Sequence, residues 1–426
     1  MSGNGKPGRI LVIGGGISGI TPAIEASEAD CDVVLVEKNP YLGGRVIRTH
    51  QYFPKLCPPT CGLEINFRRL RTSTRIRCLT LSEVEKITGG PGHYQVTIKR
   101  HPRRVNNKCT ACGACVEACP VQRPDEFNLG MSSTKAIYLP CEMASPLQYV
   151  IDSSVCPGSE CGKCVPMCPY GAIDLDMKPE TVNVEVQAVI WATGWDPYDA
   201  GKIEGLGFGV YPNVITNVMM ERLASSNGPT AGKIQRPSDG KEIETIAFVQ
   251  CAGSRDENYL KHCSGVCCMG SLKQAGYVRE QYPDARIIIF YIDIRSPGRL
   301  EDFYAAMQKD AKLEMIKGKV AKITEDPTSG DLVVEAEDAL CGDRISQKVN
   351  LVVLATGIVP AEAAVRIELD GDLQRDEHGF LTSDQPLPGL IPAGCAKRPV
   401  DVASCVRDAT GAALKALQSC VEQNGG

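Results

Sequence analysis

The stretch Arg9-Ile10-Leu11-Val12-Ile13-Gly14-Gly15-Gly16-Ile17-Ser18-Gly19 decides the architecture of this chain. Residues 9–12 are apolar and β-prone and residues 17–29 carry a helical pattern, so the glycines fall at a strand-to-helix turn. In G-x-G-x-x-G, Gly14 permits the tight turn, Gly16 lets the backbone approach a pyrophosphate, and Gly19 allows close helix–strand packing. The helix N-terminus then offers free N–H groups and a partial positive charge to phosphate. A second strand over 32–36 ends at Glu37, followed by Lys38, where an acidic residue accepts ribose hydroxyls. A glycine loop alone often serves only as a turn. Strand, glycines, helix and terminal glutamate together predict a βαβ dinucleotide site.

The second signal is cysteine, 21 residues of 426. Residues 1–8 are polar and glycine-rich and lead into a strand rather than a secretory apolar segment, so a cytoplasmic chain is expected. Without export a disulfide framework is disfavoured, and metal or redox use is the better reading. Cys109, Cys112, Cys115 and Cys119, followed by Pro120, form C-x2-C-x2-C-x3-C-P. This is the bacterial ferredoxin run, in which three thiolates hold one [4Fe–4S] cubane and the fourth reaches another. Cys156, Cys161, Cys164 and Cys168, followed by Pro169, repeat it with a longer first gap. Cross-ligation predicts one cluster on Cys109, Cys112, Cys115 and Cys168, and the other on Cys156, Cys161, Cys164 and Cys119. Structural zinc also uses four thiolates, but two interlocked copies with terminal prolines favour clusters.

Two further thiol groups stay open between readings. Cys57 and Cys61 flank Pro58 and Pro59, and Cys251, Cys263, Cys267 and Cys268 follow a strand over 245–250. They are candidates for a third cluster drawing on both groups, for a Cys57/Cys61 redox dithiol, or for ordinary buried thiols. About eight irons per chain would exclude a third cluster and about twelve would support it. Cys31, Cys78, Cys141, Cys341, Cys405 and Cys420 are expected to be ordinary. After the strand over 245–250 the chain reads Cys251-Ala252-Gly253-Ser254-Arg255-Asp256, without a second G-x-G-x-x-G. A nucleotide-domain shape without a working NAD(P)H site is therefore expected.

Composition narrows the remaining classes. A net charge of −5 and 5% aromatic residues give no basic stripe or stacking surface for nucleic acid. Hydrophobic content of 43% suits a globular protein of two or three domains. No apolar run approaches the eighteen or so residues of a membrane span, so membrane association is expected only through a partner. The five histidines show no nucleophile pairing or metal-helix spacing. Arg68, Arg69, Arg71, Arg75 and Arg77 read as a solvated face in preference to a docking site. Strand-like runs at 185–191, 245–250, 287–291, 332–336 and 349–355, with a helical tail over 402–420, indicate an α/β protein with parallel sheets.

Four segments resemble those of two-dinucleotide flavoproteins. Leu42-Gly43-Gly44-Arg45 is similar to their L-G-G-R, and Ala192-Thr193-Gly194 and Ala355-Thr356-Gly357 are similar to their A-T-G turns. Residues 388–395 resemble their late motif, with Cys395 after Gly394 where those proteins have Gly-Asp. The resemblance implies FAD, bound by Gly14, Gly16, Gly19, Glu37, Lys38, Gly44, Arg45, Ala192, Thr193, Gly194, Thr356, Gly357, Gly394 and Cys395.

Over residues 8–416 the chain resembles the flavin-bearing polypeptide of the heterodisulfide reductase family. Within that group it resembles the equivalent flavoprotein of the quinone-interacting membrane-bound oxidoreductase of sulfate reducers. The marks are Val12-Ile13-Gly14-Gly15-Gly16, Tyr211-Pro212-Asn213-Val214-Ile215-Thr216, Arg236-Pro237-Ser238-Asp239-Gly240-Lys241, and the cysteines at 251–268. The fold implied is α/β: a two-dinucleotide-binding, thioredoxin-reductase-like flavoprotein with an inserted two-cluster bacterial-ferredoxin-like domain. FAD-binding parts are expected at 8–105, 181–240 and 346–420, the insertion at 106–180, and a degenerate nucleotide-binding-like domain at 241–345. Leu56-Cys57-Pro58-Pro59-Thr60-Cys61 replaces the family's D-C-S-x-C, and the wider spacing is associated with the quinone-linked branch. That branch implies electron transfer between the menaquinone pool and adenylylsulfate reductase, at the inner membrane. Its partners would be a second flavin and iron–sulfur subunit and a haem-bearing membrane subunit. A heterodisulfide reductase-type or electron-bifurcating flavoprotein is the alternative, and a non-catalytic cluster-bearing scaffold a third.

Overall fold

The computed structural model describes residues 8–361, 367–383, 385 and 387–421. The chain divides into two compact units, each assembled from separated segments. The first comprises Met1–Arg48, Cys57–Trp195 and Pro360–Gly426, and the second Thr49–Leu56 and Asp196–Val359.

In the first unit, β1 (Arg9–Ile13), α1 (Ile17–Glu28) and β2 (Asp32–Glu37) form the expected βαβ unit. After α2 (Thr60–Thr72), β3 (Ile76–Thr80) extends the sheet beyond β2. On the other side of β1 lie Ala188–Trp191 and then Leu390–Pro392, all parallel. Ile10, Leu11, Leu35 and Val189 are fully buried, which is why these strands read as continuous apolar runs. Helix α1 and the C-terminal helix Val402–Val421 cover one face, where Ala23, Ala26, Ala412 and Ala416 let the backbones come close. Against the other face packs a mainly antiparallel sheet. In it β4 (Ser82–Gly90) and β5 (His93–Arg100) join Glu180–Val186 and Glu368–Leu369.

The expected strand over 185–191 is two strands in two different sheets. Thr181-Val182-Asn183-Val184-Glu185-Val186 alternates exposed and buried positions, whereas Ala188–Trp191 is buried throughout. The change of period at Gln187 marks the crossing between sheets.

The insertion has a small core cluster of its own, Val105, Cys115, Ile137, Ile151 and Ala172, with thiols packed around it, while Phe127, Cys141 and Ala144 join the core of the host. Its entry and exit are bridged at Val105 and Ile173. Buried Arg103 fixes the base, donating to Pro40 O at 2.5 Å, Thr80 Oγ1 at 3.0 Å and Gln148 O at 3.3 Å. Desolvation lowers the pKa of Arg103 to about 10.

The second unit is a five-stranded parallel sheet in the order Val214–Thr216, Leu351–Thr356, Thr245–Ala252, Arg286–Tyr291, Leu313–Lys317. A three-stranded antiparallel sheet, Val320–Glu325, Leu332–Glu337 and Arg344–Val349, packs beside it. This unit is larger than the expected 241–345. Residues 196–240 and 346–359 belong to it, because Val214–Thr216 and Leu351–Thr356 hydrogen-bond within its sheet.

Segment Thr49–Leu56 is held in the second unit by a buried ion pair. Lys273 and Glu221, 9% and 8% exposed, lie 3.0 Å apart. Lys273 Nζ also donates to Gln51 O, and Glu221 accepts the His50 N–H and the Gln274 amide. Lys273→Met leaves the Glu221 carboxylate buried and uncompensated, and is expected to destabilise the unit by about 3–5 kcal/mol. Denaturant unfolding of the apo-protein checks this, and an unchanged midpoint would refute it.

Candidate functional site: a dinucleotide loop and three thiol groups

Helix α1 starts at Gly16 with no side-chain cap, so its first turn faces the glycine loop. Gly14 takes φ +108°, and a Cβ there would stand 2.2 Å from Ala192 O. A Cβ on Gly19 would stand 1.8 Å from Gly14 O. These two positions exclude any other residue. Glu37 is buried at the end of β2, accepting from the Gly15 N–H at 2.7 Å and from the Asn39 N–H at 2.8 Å. Burial raises its pKa, and the hydrogen bonds from Asn39 and Gly15 pull it back down. Lys38 is exposed beside it.

Gly43 N–H donates to Gly15 O at 2.8 Å, and a Cβ on Gly44 would lie 2.8 Å from Gly16 Cα. Two glycine backbones therefore face each other across the helix start. Arg45 donates to Trp195 O at 2.6 Å and stacks on that ring at 4.7 Å. Gly394 takes φ +61° and packs against Ser18, where a Cβ would meet Oγ at 2.0 Å. Its N–H donates to Asp408 at 2.8 Å. This carboxylate comes from the C-terminal helix, and its other oxygen pairs with Lys397. Sequence reading missed Asp408, which carries no motif of its own. A bare helix start, a side-chain-free cradle and a buried carboxylate at the strand end fit a dinucleotide such as FAD.

Ala192, Thr193 and Gly194 follow the strand Ala188–Trp191 of this unit, and Ala192 N–H donates to Ile13 O. Thr356 and Gly357 belong to the second unit instead. There Thr356 O faces Cys267 Sγ at 3.7 Å, and Gly357 packs on Ser254 and Leu260.

Thiols of the insertion ring two cavities. One, about 320 Å³ including its mouth, is lined by Cys109, Cys112, Cys115 and Cys168. The other, about 330 Å³, is lined by Cys119, Cys156, Cys161 and Cys164. The last cysteine of each run thus stands with the first three of the other. Ile137 lies in both walls. The Ala172 N–H donates to Cys168 Sγ at 3.3 Å. Burial raises the Cys115 thiol to about 11 and raises Cys164 as well, with neighbouring thiols adding to both shifts. Among the described residues no group of three or more His, Cys, Asp or Glu is set to hold a single metal ion. Four soft thiolates around an apolar-walled cavity fit a cubane cluster in donor chemistry.

Cys251, Cys263, Cys267 and Cys268 form a third group, wholly within the second unit. Burial raises the Cys251 thiol to about 11 and pushes Cys267 higher, and each feels its neighbouring thiols. Arg255, paired with Asp293 at 2.5 Å, hydrogen-bonds Cys251. The Gly265 N–H donates to Cys263 Sγ at 3.3 Å. Cys57 and Cys61 lie in the first unit, Cys61 exposed in the first turn of α2. Among the cysteines expected to be ordinary, Cys31 pairs with Cys420 at 3.7 Å and Cys405 with Cys395 at 3.6 Å.

Comparisons with known proteins agree with this geometry. The family model described as FAD dependent oxidoreductase matches residues 9–68, and that described as 4Fe-4S binding domain matches residues 102–122. Lactococcus lactis thioredoxin reductase aligns with 98% of this chain and 100% of its own at TM-score 0.54 and 13% identity. T. acidophilum thioredoxin reductase aligns at TM-score 0.54 and 12% identity, over 97% of this chain and 98% of its own. The chain therefore has a thioredoxin-reductase-like flavoprotein fold with an iron–sulfur insertion, and is of the oxidoreductase class.

Its relatives make the likeness specific. An iron–sulfur polypeptide of the CoB–CoM heterodisulfide reductase of Methanopyrus kandleri is 40% identical over 419 residues, covering 96% of this chain and 64% of its own length. The corresponding iron–sulfur polypeptide of the Methanocaldococcus jannaschii CoB–CoM heterodisulfide reductase is 39% identical over 417 residues, covering 95% of this chain and 63% of its own. In Methanothermobacter marburgensis the equivalent polypeptide of the H(2):CoB-CoM heterodisulfide,ferredoxin reductase is 36% identical over 419 residues, covering 96% and 63%. This chain is similar to these heterodisulfide reductase polypeptides over nearly all of its own length, and spans slightly less than two thirds of theirs. Among the described residues no helix is long and apolar enough to cross a membrane.

Gly19→Ala places a methyl group inside the Gly14 carbonyl contact. The variant is expected to purify without flavin, read as the flavin-to-protein absorbance ratio after denaturation. A wild-type ratio would show that the loop does not hold the cofactor.

Proposed function

We propose that this protein is the FAD- and iron–sulfur-bearing electron-transfer component of a heterodisulfide reductase-type complex. The observation that carries this reading is the pair of four-thiol cavities sharing Ile137, in the same unit as the dinucleotide loop. Cys109, Cys112, Cys115 and Cys168 would hold one [4Fe–4S] cluster, and Cys156, Cys161, Cys164 and Cys119 the other. Cys251, Cys263, Cys267 and Cys268 would hold a third, with all four thiolates from one unit. Gly14, Gly16, Gly19, Glu37, Gly44 and Gly394 would cradle FAD, with Arg45 and Ala192 to Gly194 bordering it.

FAD supplies exchange between two-electron and one-electron chemistry, and the clusters carry single electrons. The chain's own residues set the environment of these groups. Val105, Ile137 and Ile151 wall off water, while N–H groups such as that of Ala172 support the sulfurs and tune potential. The family resemblance supports other components of such a complex as electron donors and acceptors. It also supports a chain that is itself peripheral to any membrane. The reading as a quinone-linked component serving adenylylsulfate reductase rests on the sequence resemblance and the Cys57-x3-Cys61 spacing, and the relatives favour the disulfide-reducing type. Assay of the native complex with a thiol heterodisulfide and with a menaquinol analogue separates the two.

Cys112→Ser and Cys164→Ser are each expected to remove one cluster's electron paramagnetic resonance signal and most electron transfer while the flavin ratio stays at wild type. Full transfer in both variants would refute the relay. Wild-type iron near twelve per chain supports three clusters, and near eight removes the third.

A further inference from the structure

Cys251 is flanked by buried polar atoms that have no hydrogen-bond partner among the described residues: Nε2 and Oε1 of Gln250 and Oγ of Ser254. Gln250 is 5% exposed and Ser254 2%. A buried donor without a partner lowers stability, so folded proteins rarely keep one unless something absent from the protein atoms completes it. Gln250 and Ser254 both belong to the second unit and stand on either side of Cys251 in the chain. The strand Thr245–Ala252 is interrupted by a bulge between Val249 and Ala252, and Cys251 takes the left-handed φ of 55°. The alternation of faces is broken there, and the chain leaves the strand through a turn closed by the Ser254 N–H donating to Cys251 O at 3.1 Å.

Ser254 is tied to the thiol group from a second direction. Its Oγ lies 2.3 Å from where a Cβ on Gly357 would stand, and Gly357 follows Thr356, whose carbonyl Cys267 Sγ approaches at 3.7 Å. Gly357 can carry no side chain, because that hydroxyl stands where its Cβ would be. A second unpartnered hydroxyl, Ser271 Oγ, is 1% exposed on the helix Cys267–Gln281. It stands one turn after Cys267 on the same face, and helical side chains lean toward the N-terminus, here toward the thiol.

We propose that Ser254, Gln250 and Ser271 are hydrogen-bond donors to the sulfur atoms of an iron–sulfur cluster held by Cys251, Cys263, Cys267 and Cys268, and that they set its reduction potential. The inference rests on the third-cluster reading above. Reduction adds negative charge to a cluster's sulfurs, so donors aimed at them favour the reduced state and raise the potential. These are positioning residues: the thiolates bind the metal, and the hydroxyls and the amide decide how readily it accepts an electron.

The test is a redox titration of the reconstituted holoprotein followed by electron paramagnetic resonance. Cys263→Ser first identifies the second-unit signal by its loss. Ser254→Ala, Gln250→Leu and Ser271→Ala are each expected to lower that signal's midpoint. At the wild-type midpoint the reduced-to-oxidised ratio should fall roughly fivefold per donor, the weight of one ordinary net hydrogen bond. The midpoints of the two insertion clusters and the flavin ratio should not move. In apo-protein, Gln250→Leu should unfold no earlier than wild type, because it removes an unpaired group instead of a bond. Unmoved midpoints in all three variants, with about twelve irons bound, overturn this inference and leave the third cluster standing. About eight irons in wild type overturn both. Lower apo-protein stability in Gln250→Leu shows that the amide has a protein partner and overturns its role.

Discussion

Two backbones meet at the dinucleotide loop with no space for a side chain between them. A Cβ on Gly19 would lie 1.8 Å from the Gly14 carbonyl, and one on Gly14 2.2 Å from that of Ala192. Because both contacts are bare, α1 begins directly over the end of β1 and its uncapped first turn faces the loop. The same closeness brings Glu37 within reach of Gly15, Gly43 within reach of Gly15 O, and Gly394 against Ser18. Each surrounding segment comes from a distant part of the chain, and all converge on this contact. A methyl group at either glycine would push these segments apart at the site.

The insertion obeys a different constraint. Its own core cluster of five buried residues is small for a segment of some seventy, and domains of that size recruit metals or other cross-links. The thiols occupy the places a larger core would fill. Burial and mutual repulsion raise Cys115 and Cys164, so without metal they stand protonated near neutral pH. Binding metal there releases protons and contributes directly to folding.

The βαβ unit and the thiol runs were legible in the sequence because local spacing encodes them. The C-terminal helix, expected over 402–420 and found at Val402–Val421, was legible by its apolar period. What failed was set by partners far away in the chain. The split at Gln187 depended on which sheet each half joins, and the assignment of Leu351–Thr356 depended on pairing with Thr245–Ala252 and Val214–Thr216. Asp408 was invisible because an acidic residue on a helix announces nothing until its neighbour is known. Gln250 and Ser254 escaped notice for the same reason, since only a three-dimensional inventory of hydrogen bonds reveals an unpaired donor.

The bridge between Val105 and Ile173, backed by the Asp174 N–H donating to Arg104 O at 3.0 Å, places the insertion's two ends side by side. The host chain leaves and returns at almost one point, so neither neighbouring strand has to shift to admit what lies between. A module joined in that manner is a single continuous segment, replaceable by another with equally close ends that also supplies the contacts Phe127, Cys141 and Ala144 make with the host core. The second unit has no such freedom, since it is built from two separate stretches of chain. Redox capacity in this architecture can therefore be lengthened, shortened or retuned by swapping one continuous segment, whereas a change in the second unit must be made residue by residue.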